Sequence, residues 1–274
     1  MIRETWALTK RELLRLARNP QAIATSLLLP ILYLLLFGQG FNLSASLPPQ
    51  EVQKQLLGSP TYFSYFAAGM TGFVAVTATL FIGANVIFDK LFGILKRIAS
   101  TPASTASIFG ARLIAGSIQP IGLAFLVLGL AIGLGHLGLS GLQVTAAVGP
   151  ISAFEIVLAI VILSVMFASL FLAIGFSIEQ PQTYFAVVNA INLPVLLTSA
   201  ALYPWGFMPA WLQNIASYNP VTLAVWVIRI NLFAGATAAY PHPAWFYLLG
   251  LFGWAAAMNL VATVLAWRAL GPRH

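Results

Sequence analysis

Six stretches of this chain, each about the length that crosses a bilayer core as helix, contain at most one charged side chain apiece. They are Ile23–Phe41, Tyr62–Phe88, a run within Ser107–Leu134, Pro150–Ile178, Thr183–Tyr203 and Ala244–Trp267. Membrane strands would alternate apolar and polar residues over about ten positions. These runs are uniformly apolar, so they predict helices. Composition sharpens the conclusion. Only 7% of the 274 residues are charged and 60% are hydrophobic, with a mean hydropathy of +0.91. A soluble domain carries roughly 25% charged residues, so this chain has too little polar surface to cover a globule in water. A soluble enzyme, a disordered protein and a free nucleic-acid binder are excluded. The expected fold is an all-α polytopic membrane protein with six transmembrane helices. The chain has no cysteine, which removes disulfides, zinc–thiolate sites and iron–sulfur clusters.

The net charge of +7 follows from where the bases sit. Nucleic-acid binders cluster Lys and Arg on a water-facing surface, whereas these fall between apolar runs. Arg3, Lys10, Arg11, Arg15, Arg18, Lys90, Lys96, Arg97, Arg112, Arg268 and Arg273 lie to one side of the predicted spans, and only Lys54 and Arg229 to the other. The excess of bases marks the cytoplasmic side, so both termini are expected there. The first apolar run is longer than a signal core, and Glu4 and Glu12 precede it. It reads as a retained anchor.

Three segments outside the spans carry pattern. In residues 2–18, Ile2, Trp6, Thr9, Leu13, Leu16 and Ala17 share one helical face and the bases share the other, with Leu8 and Leu14 as exceptions. That is an interfacial helix, serving either as a membrane-resting anchor or also as a contact for a cytoplasmic partner. Asp89–Ala99 reads as one amphipathic piece ending before Pro102. Leu91, Ile94, Leu95 and Ile98 form a face that would hold it to the bundle; Asp89, Gly93, Lys96 and Arg97, bordered by Lys90, form a face left for a docking partner, with Gly93 permitting close approach. The region 204–243 is apolar yet too broken to cross. A short helix is expected to begin near Pro209, and Asn219-Pro220 places an N-cap residue before a proline at the first helical position. Val221–Phe233 spans about 20 Å, short of a hydrocarbon core near 30 Å. A re-entrant helix is therefore expected, either shielded by protein or lining a wet cavity, with Trp205, Trp211, Tyr218, Tyr240, Trp245 and Tyr247 as an interfacial belt.

Catalytic constellations are missing from the sequence. It contains no GxxxxGK[ST] phosphate loop and no HExxH, and His136, His242 and His274 show no ligand-like spacing. The expectation is a non-enzyme with no catalytic residue, cofactor or metal of its own. Glu155, in the first two turns of its span, is either a functional intramembrane acid or a helix-start acid favoured by the dipole. Arg229 ends the re-entrant helix, where it either pairs with the dipole and snorkels outward or forms a gating or fold-fixing ion pair.

Gly93, Leu95, Arg97 and Thr101-Pro102 after the second span, then Pro194, Ser199, Pro204, Met208-Pro209, Trp211-Leu212 and Asn219-Pro220 with Arg229 nine residues on, resemble the ABC type-2 exporter permeases of the daunorubicin-resistance and nodulation-factor group. The resemblance covers the whole chain as a single transmembrane domain. Lys96, Ile94, Ala200 and Trp226 depart from the residues the family often has there, so a charge pairing through Lys96 is not carried over. The resemblance implies a permease of a prokaryotic cytoplasmic membrane, exporting a drug, lipid or glycan. Its partners would be a second permease copy, membrane lipid and an ATP-binding-cassette ATPase that holds the ATP and Mg. Asp89, Lys90, Gly93, Lys96 and Arg97 would couple to that ATPase, and Glu155, Asn219, Pro220 and Arg229 are candidates for a gate or pathway. A self-sufficient secondary transporter or channel is the alternative.

Overall fold

The computed structural model describes Trp6, Thr9, Lys10, Leu14 and residues 20–40, 55–99, 105–136 and 142–270. Among these residues all regular structure is helical. The elements are α1 (Pro20–Gly40), α2 (Tyr62–Thr77), α3 (Leu80–Leu91), α4 (Ile94–Ala99), α5 (Thr105–His136), α6 (Pro150–Ser177), α7 (Pro181–Leu197), α8 (Ala210–Tyr218), α9 (Pro220–Leu232), α10 (Ala236–Ala239) and α11 (Ala244–Leu270). Among the described residues four spans are long and apolar enough to cross a membrane: the α2–α3 unit Tyr62–Leu91, Ser107–Leu134 in α5, all of α6, and Ala244–Arg268 in α11. The chain is a polytopic membrane protein. Of the amphipathic start, Trp6, Lys10 and Leu14 are exposed and Thr9 is buried, so Trp6 and Thr9 do not share an environment; the rest of that segment lies outside the described residues.

Two of the predicted spans differ from expectation, and side-chain hydroxyls explain both. The second is broken at Ala78–Thr79, where Thr77 and Thr79 donate to the carbonyls of Phe73 and Val76 and compete with the helix ladder. The fifth, α7, stops at Leu197 after 17 residues rather than continuing to Tyr203. Thr198 and Ser199 donate to the carbonyls of Pro194 and Leu196, both at 2.7 Å. Beyond them the backbone bonds leave the helix: Ala200 N–H donates to Thr222 Oγ1 at 2.9 Å, across to α9. Buried backbone groups need a partner, and for Ala200 and Ala201 that partner is on another element.

Helix α6 is the hub, packed against α2, α3, α5, α7, α9 and α11. Its span is 78% buried, against 17% for α11. Glycine brings backbones together where the bundle is tightest. A Cβ on Gly175 of α6 would meet the Gly83 carbonyl oxygen of α3 at 2.5 Å, and one on Gly69 of α2 would strike the Ala201 carbonyl.

The two ends of the bundle differ in chemistry. Lys90, Arg97, Arg112 and Arg268 mark a basic end, where α3, α6 and α11 terminate and α5 begins. At the other, aromatic end, α8 and α9 form a hairpin. Trp254 Nε1, ten residues into α11, donates to the Tyr218 carbonyl at the hairpin tip at 2.8 Å, which places the tip about 15 Å along α11 at 1.5 Å per residue. Helix α9 is 13 residues long and all of them are buried, walled in by α2, α6, α8, α10 and α11. The predicted shielding of a short apolar helix is met by protein on every side.

Candidate functional site

At the basic end, Asp89 and Lys90 are not where the sequence pattern put them. Helix α3 continues through Leu91, so both residues complete the span instead of opening the amphipathic segment. Asp89 is 1% exposed and its Oδ2 accepts from Arg112 NH2 of α5 at 2.7 Å. Lys90 Nζ donates to the carbonyls of Gly175, Phe176 and Ile178 at 3.0, 2.6 and 2.9 Å. These are among the last carbonyls of α6, which have no partner within their own helix, and the cation also faces the negative end of that helix dipole. Both side chains are satisfied inside the bundle, so neither belongs to an open docking face. Leu91 and Phe92, by contrast, are 62% and 72% exposed. The expectation that Leu91 would hold the segment down is overturned, while Ile94 and Leu95 do pack, against a small core that includes Val86, Ile108 and Leu172.

The reason is Gly93. Its φ of +68° is left-handed, a conformation glycine adopts without the Cβ penalty. It ends α3 through the bond from Gly93 N–H to the Lys90 carbonyl at 3.0 Å, then restarts the chain as α4 in a new direction. A Cβ at Gly93 would meet nothing within 4 Å. Within this chain, Gly93 therefore serves the turn. Arg97 is exposed on α4; the side chains of Lys96 and Ile98 lie outside the described residues.

At the aromatic end, Arg229 does not snorkel. Its side chain is fully buried and points into the bundle. NH1 donates to the Ala200 carbonyl, and NH2 to those of Tyr65 and Ala201, all at 2.9 Å. The guanidinium carbon sits 3.4 Å from the centre of the Tyr65 ring, a cation–π contact. Tyr65 Oη in turn donates to the carbonyls of Ala200 and Tyr203, at 3.1 and 3.0 Å. Arg229 and Tyr65 together supply donors to the segment that α7 abandons after Leu197. Arg229 fixes the fold, through carbonyls and not through an ion pair. Burial pushes the Tyr240 hydroxyl above its ordinary range, with the nearby Arg229 charge offsetting part of the shift.

Asn219 caps α9 as expected. Its Oδ1 accepts from Val221 N–H at 2.9 Å, and Pro220 follows at the first helical position. Its Nδ2 also donates to the Val195 carbonyl and to Thr198 Oγ1, at 2.7 and 3.1 Å, tying the hairpin tip to the end of α7. Glu155 accepts from Asn231 Nδ2 at 2.8 Å, so α6 near its start is joined to the last turns of α9. The structure thus gathers Asn219, Pro220 and Arg229 on one buried helix, with Glu155 at its far end. Asp89 and Lys90 form a separate anchor at the opposite end. Sequence reasoning missed Tyr65, embedded in an apolar run, and missed Arg112 as the partner of Asp89. The second carried a signal, since each is an isolated charge at a span's end.

Among the described residues no group of His, Asp and Glu could hold a metal ion. The arrangement is one of helix-end anchors around an apolar core.

Residues 3–233 match the family described as ABC-2 type transporter. The chain is 30% identical over 231 residues to ycf38 of Porphyra purpurea, described as a transport permease, covering 84% of this chain and 74% of that one. It is 29% identical to ycf38 of Cyanophora paradoxa over 254 residues, covering 92% and 79%. With DrrC of Mycobacterium tuberculosis, described as a doxorubicin-resistance ABC transporter permease, it shares 23% identity over 280 residues, covering 96% and 86%. With its helical membrane bundle and a match across most of its length, this chain belongs to the ABC-2 type transporter family, as a permease.

Proposed function

We propose that the chain is the permease subunit of an ATP-driven exporter, moving a hydrophobic or amphipathic substrate across a prokaryotic cytoplasmic membrane. A separate ATP-binding-cassette subunit supplies ATP and Mg, and a second permease copy completes the pathway. Family membership carries this reading, together with one structural observation: α4 stands beyond the Gly93 turn, beside exposed Leu91 and Phe92, at the end of the molecule where the bases collect. The sequence has no phosphate loop, so the energy source must be a partner. The relative named for doxorubicin resistance favours an amphipathic drug or lipid as cargo.

In this reading the basic end is cytoplasmic and both termini face the cytoplasm. Helix α4 with Gly93, Lys96 and Arg97 meets the ATPase. Asp89 and Lys90 transmit the contact inward by holding α3 to α5 and α6. At the outer end, Asn219, Pro220, Arg229 and Glu155 set the position of the re-entrant hairpin beside the pathway. The decisive experiment is copurification of the chain with an ATP-binding-cassette subunit, followed by reconstitution in vesicles. ATP hydrolysis that rises with an amphipathic substrate supports the reading. ATP-independent flux driven by an ion gradient, with no ATPase bound, would show a secondary transporter instead.

A further inference from the structure

Leu57 is the one non-glycine residue with a left-handed backbone among the described residues, at a φ of +49°. Its Cβ crowds the neighbouring carbonyl there, so the conformation has to be held by its surroundings, and residues of this kind cluster at ligand clamps. Gly58, at +77°, completes the turn. A Cβ on Gly58 would strike the Gly235 carbonyl, so the turn is seated against the chain between α9 and α10. A third segment, the single turn Trp205–Phe207, closes on the same place: a Cβ on Gly206 would strike Gln55 Oε1. Between these three segments lies a cleft of about 380 Å³, lined by Gln55, Leu57, Trp205, Gly206 and Ala239. Small-molecule pockets run from about 300 to 1,000 Å³, so this one has room for a single ring or headgroup.

Gln55 Oε1 is buried without a hydrogen-bond donor, a state few buried polar atoms are left in. It lies against Gly206, at the wall of the cleft. The last torsion of a glutamine side chain is broad, so the amide can turn into the space without any shift of backbone. The Trp205 carbonyl is already taken by Gln213 Nε2, at 3.2 Å. The cleft therefore offers one neutral acceptor beside the apolar surfaces of Leu57, Trp205 and Ala239. An acceptor selects a hydrogen-bond donor. An anion brings none, and no described lining residue carries a charge that would neutralise an ammonium group. A hydroxyl on a compact carbon skeleton suits both kinds of wall. Its O–H donates to the amide, and its C–H surface lies on the indole and the aliphatic side chains.

We propose that this cleft binds a neutral hydroxyl-bearing group, a saccharide ring or polyol, with Gln55 as the acceptor that orients it. The group is carried by a lipid headgroup or by a free sugar, and the site is independent of the export reading. The full chain is placed in nanodiscs of phosphatidylcholine, whose headgroup has no donor. Its melting is followed with added short-chain glucosyl-diacylglycerol, glucose or short-chain phosphatidylethanolamine. A ligand of the folded chain raises Tm with its concentration, and the native chain shows a saturable rise with the glucosyl lipid. Gln55→Leu removes the acceptor and needs about fivefold to tenfold more, the worth of one hydrogen bond. Ala239→Leu, at an exposed position, fills the cleft without touching the amide and loses the response. A rise with glucose as well identifies a site for free sugar; a rise with the glucosyl lipid alone identifies a headgroup; both support the site. An equal rise with phosphatidylethanolamine shows an ammonium site and overturns the proposal. The absence of a saturable response, or unchanged affinity in Gln55→Leu, overturns it too. If Gln55→Leu fails to accumulate, Ala239→Leu decides, and a response retained in that variant refutes the site.

Discussion

Replacing Arg229 with methionine removes the charge and fills nearly the same length of side chain. Three carbonyls lose a donor, but their losses differ. The Ala200 carbonyl keeps Tyr65 Oη at 3.1 Å, and the Tyr65 carbonyl lies inside α2, where the helix ladder supplies a second donor. Ala201 loses its bond to NH2 outright. An unsatisfied buried acceptor costs about 1–3 kcal/mol, and the lost cation–π contact about 0.5–2 kcal/mol. Removing a buried charge acts in the opposite direction, because its desolvation no longer opposes folding. A net loss of about 2–3 kcal/mol follows, which for a chain of this size lowers Tm by roughly 5–10 °C. Arg229→Lys keeps the charge but not the planar fork that reaches three carbonyls at once, so it should fall between the two. The assay is thermal unfolding of the detergent-purified chain followed by tryptophan fluorescence. Should Arg229→Met melt with or above the native chain while Arg229→Lys melts below it, the guanidinium is a net burden on the fold and the argument for it as an anchor fails.

Four other outcomes test the basic end and the close helix contacts. Asp89→Ala alone should destabilise the chain by about 3–5 kcal/mol, because it strands a buried Arg112 charge. Adding Arg112→Ala should recover part of that loss, and a double-mutant cycle that shows strict additivity would exclude the pair. Lys90→Met should cost about 2 kcal/mol, from carbonyls at the end of α6 left without a donor, read by the same melting assay. Gly175→Val should abolish accumulation of folded chain, since its Cβ meets backbone of α3. Gly93→Ala has open space and only the left-handed φ to accommodate, about 1–2 kcal/mol, so it should accumulate normally in membranes.

The spans could be read from the sequence because a bilayer demands long uncharged runs whatever the packing. The Asn219-Pro220 start of α9 could be read because capping is local chemistry, settled within a few residues. What escaped the sequence is long-range or depends on a change of helical phase. A helical wheel drawn from Asp89 to Ala99 assumes one continuous helix, and Gly93 breaks that assumption. The residues before it belong to the phase of α3, which turns Asp89 inward and Leu91 outward. Likewise, α7 reads as continuing to Tyr203 because its residues stay apolar. Its end combines the local Thr198 and Ser199 hydroxyls with Thr222 and Arg229, which take up the Ala200 backbone from an element more than twenty residues away. Arg229 itself was legible as a special residue, but not the direction it faces. Helix position favours an outward cation near a C-terminus; the presence of two broken backbone carbonyls on its inner side decides otherwise.

Arg229 and Lys90 solve the same problem at opposite ends of the molecule. A helix that stops inside a bundle leaves carbonyls with no partner, and in an apolar surround each costs several kcal/mol. A long cationic side chain from a neighbouring helix closes two or three of them at once. The repair has a mechanical consequence, because it turns a helix end into a joint held from outside. Lys90 fixes α3 to the end of α6, and Arg229 fixes α9 to α2 and to the segment after α7. Since α6 also packs directly on α2 and α9, the anchored elements form one body whose parts cannot separate without exposing carbonyls. Helix α4 lies beyond the Gly93 turn, and α11 buries little of its span. Under the proposed export reading, a force applied at α4 would reach α5 and α6 through Asp89 and Lys90, which lie one helical turn before Gly93.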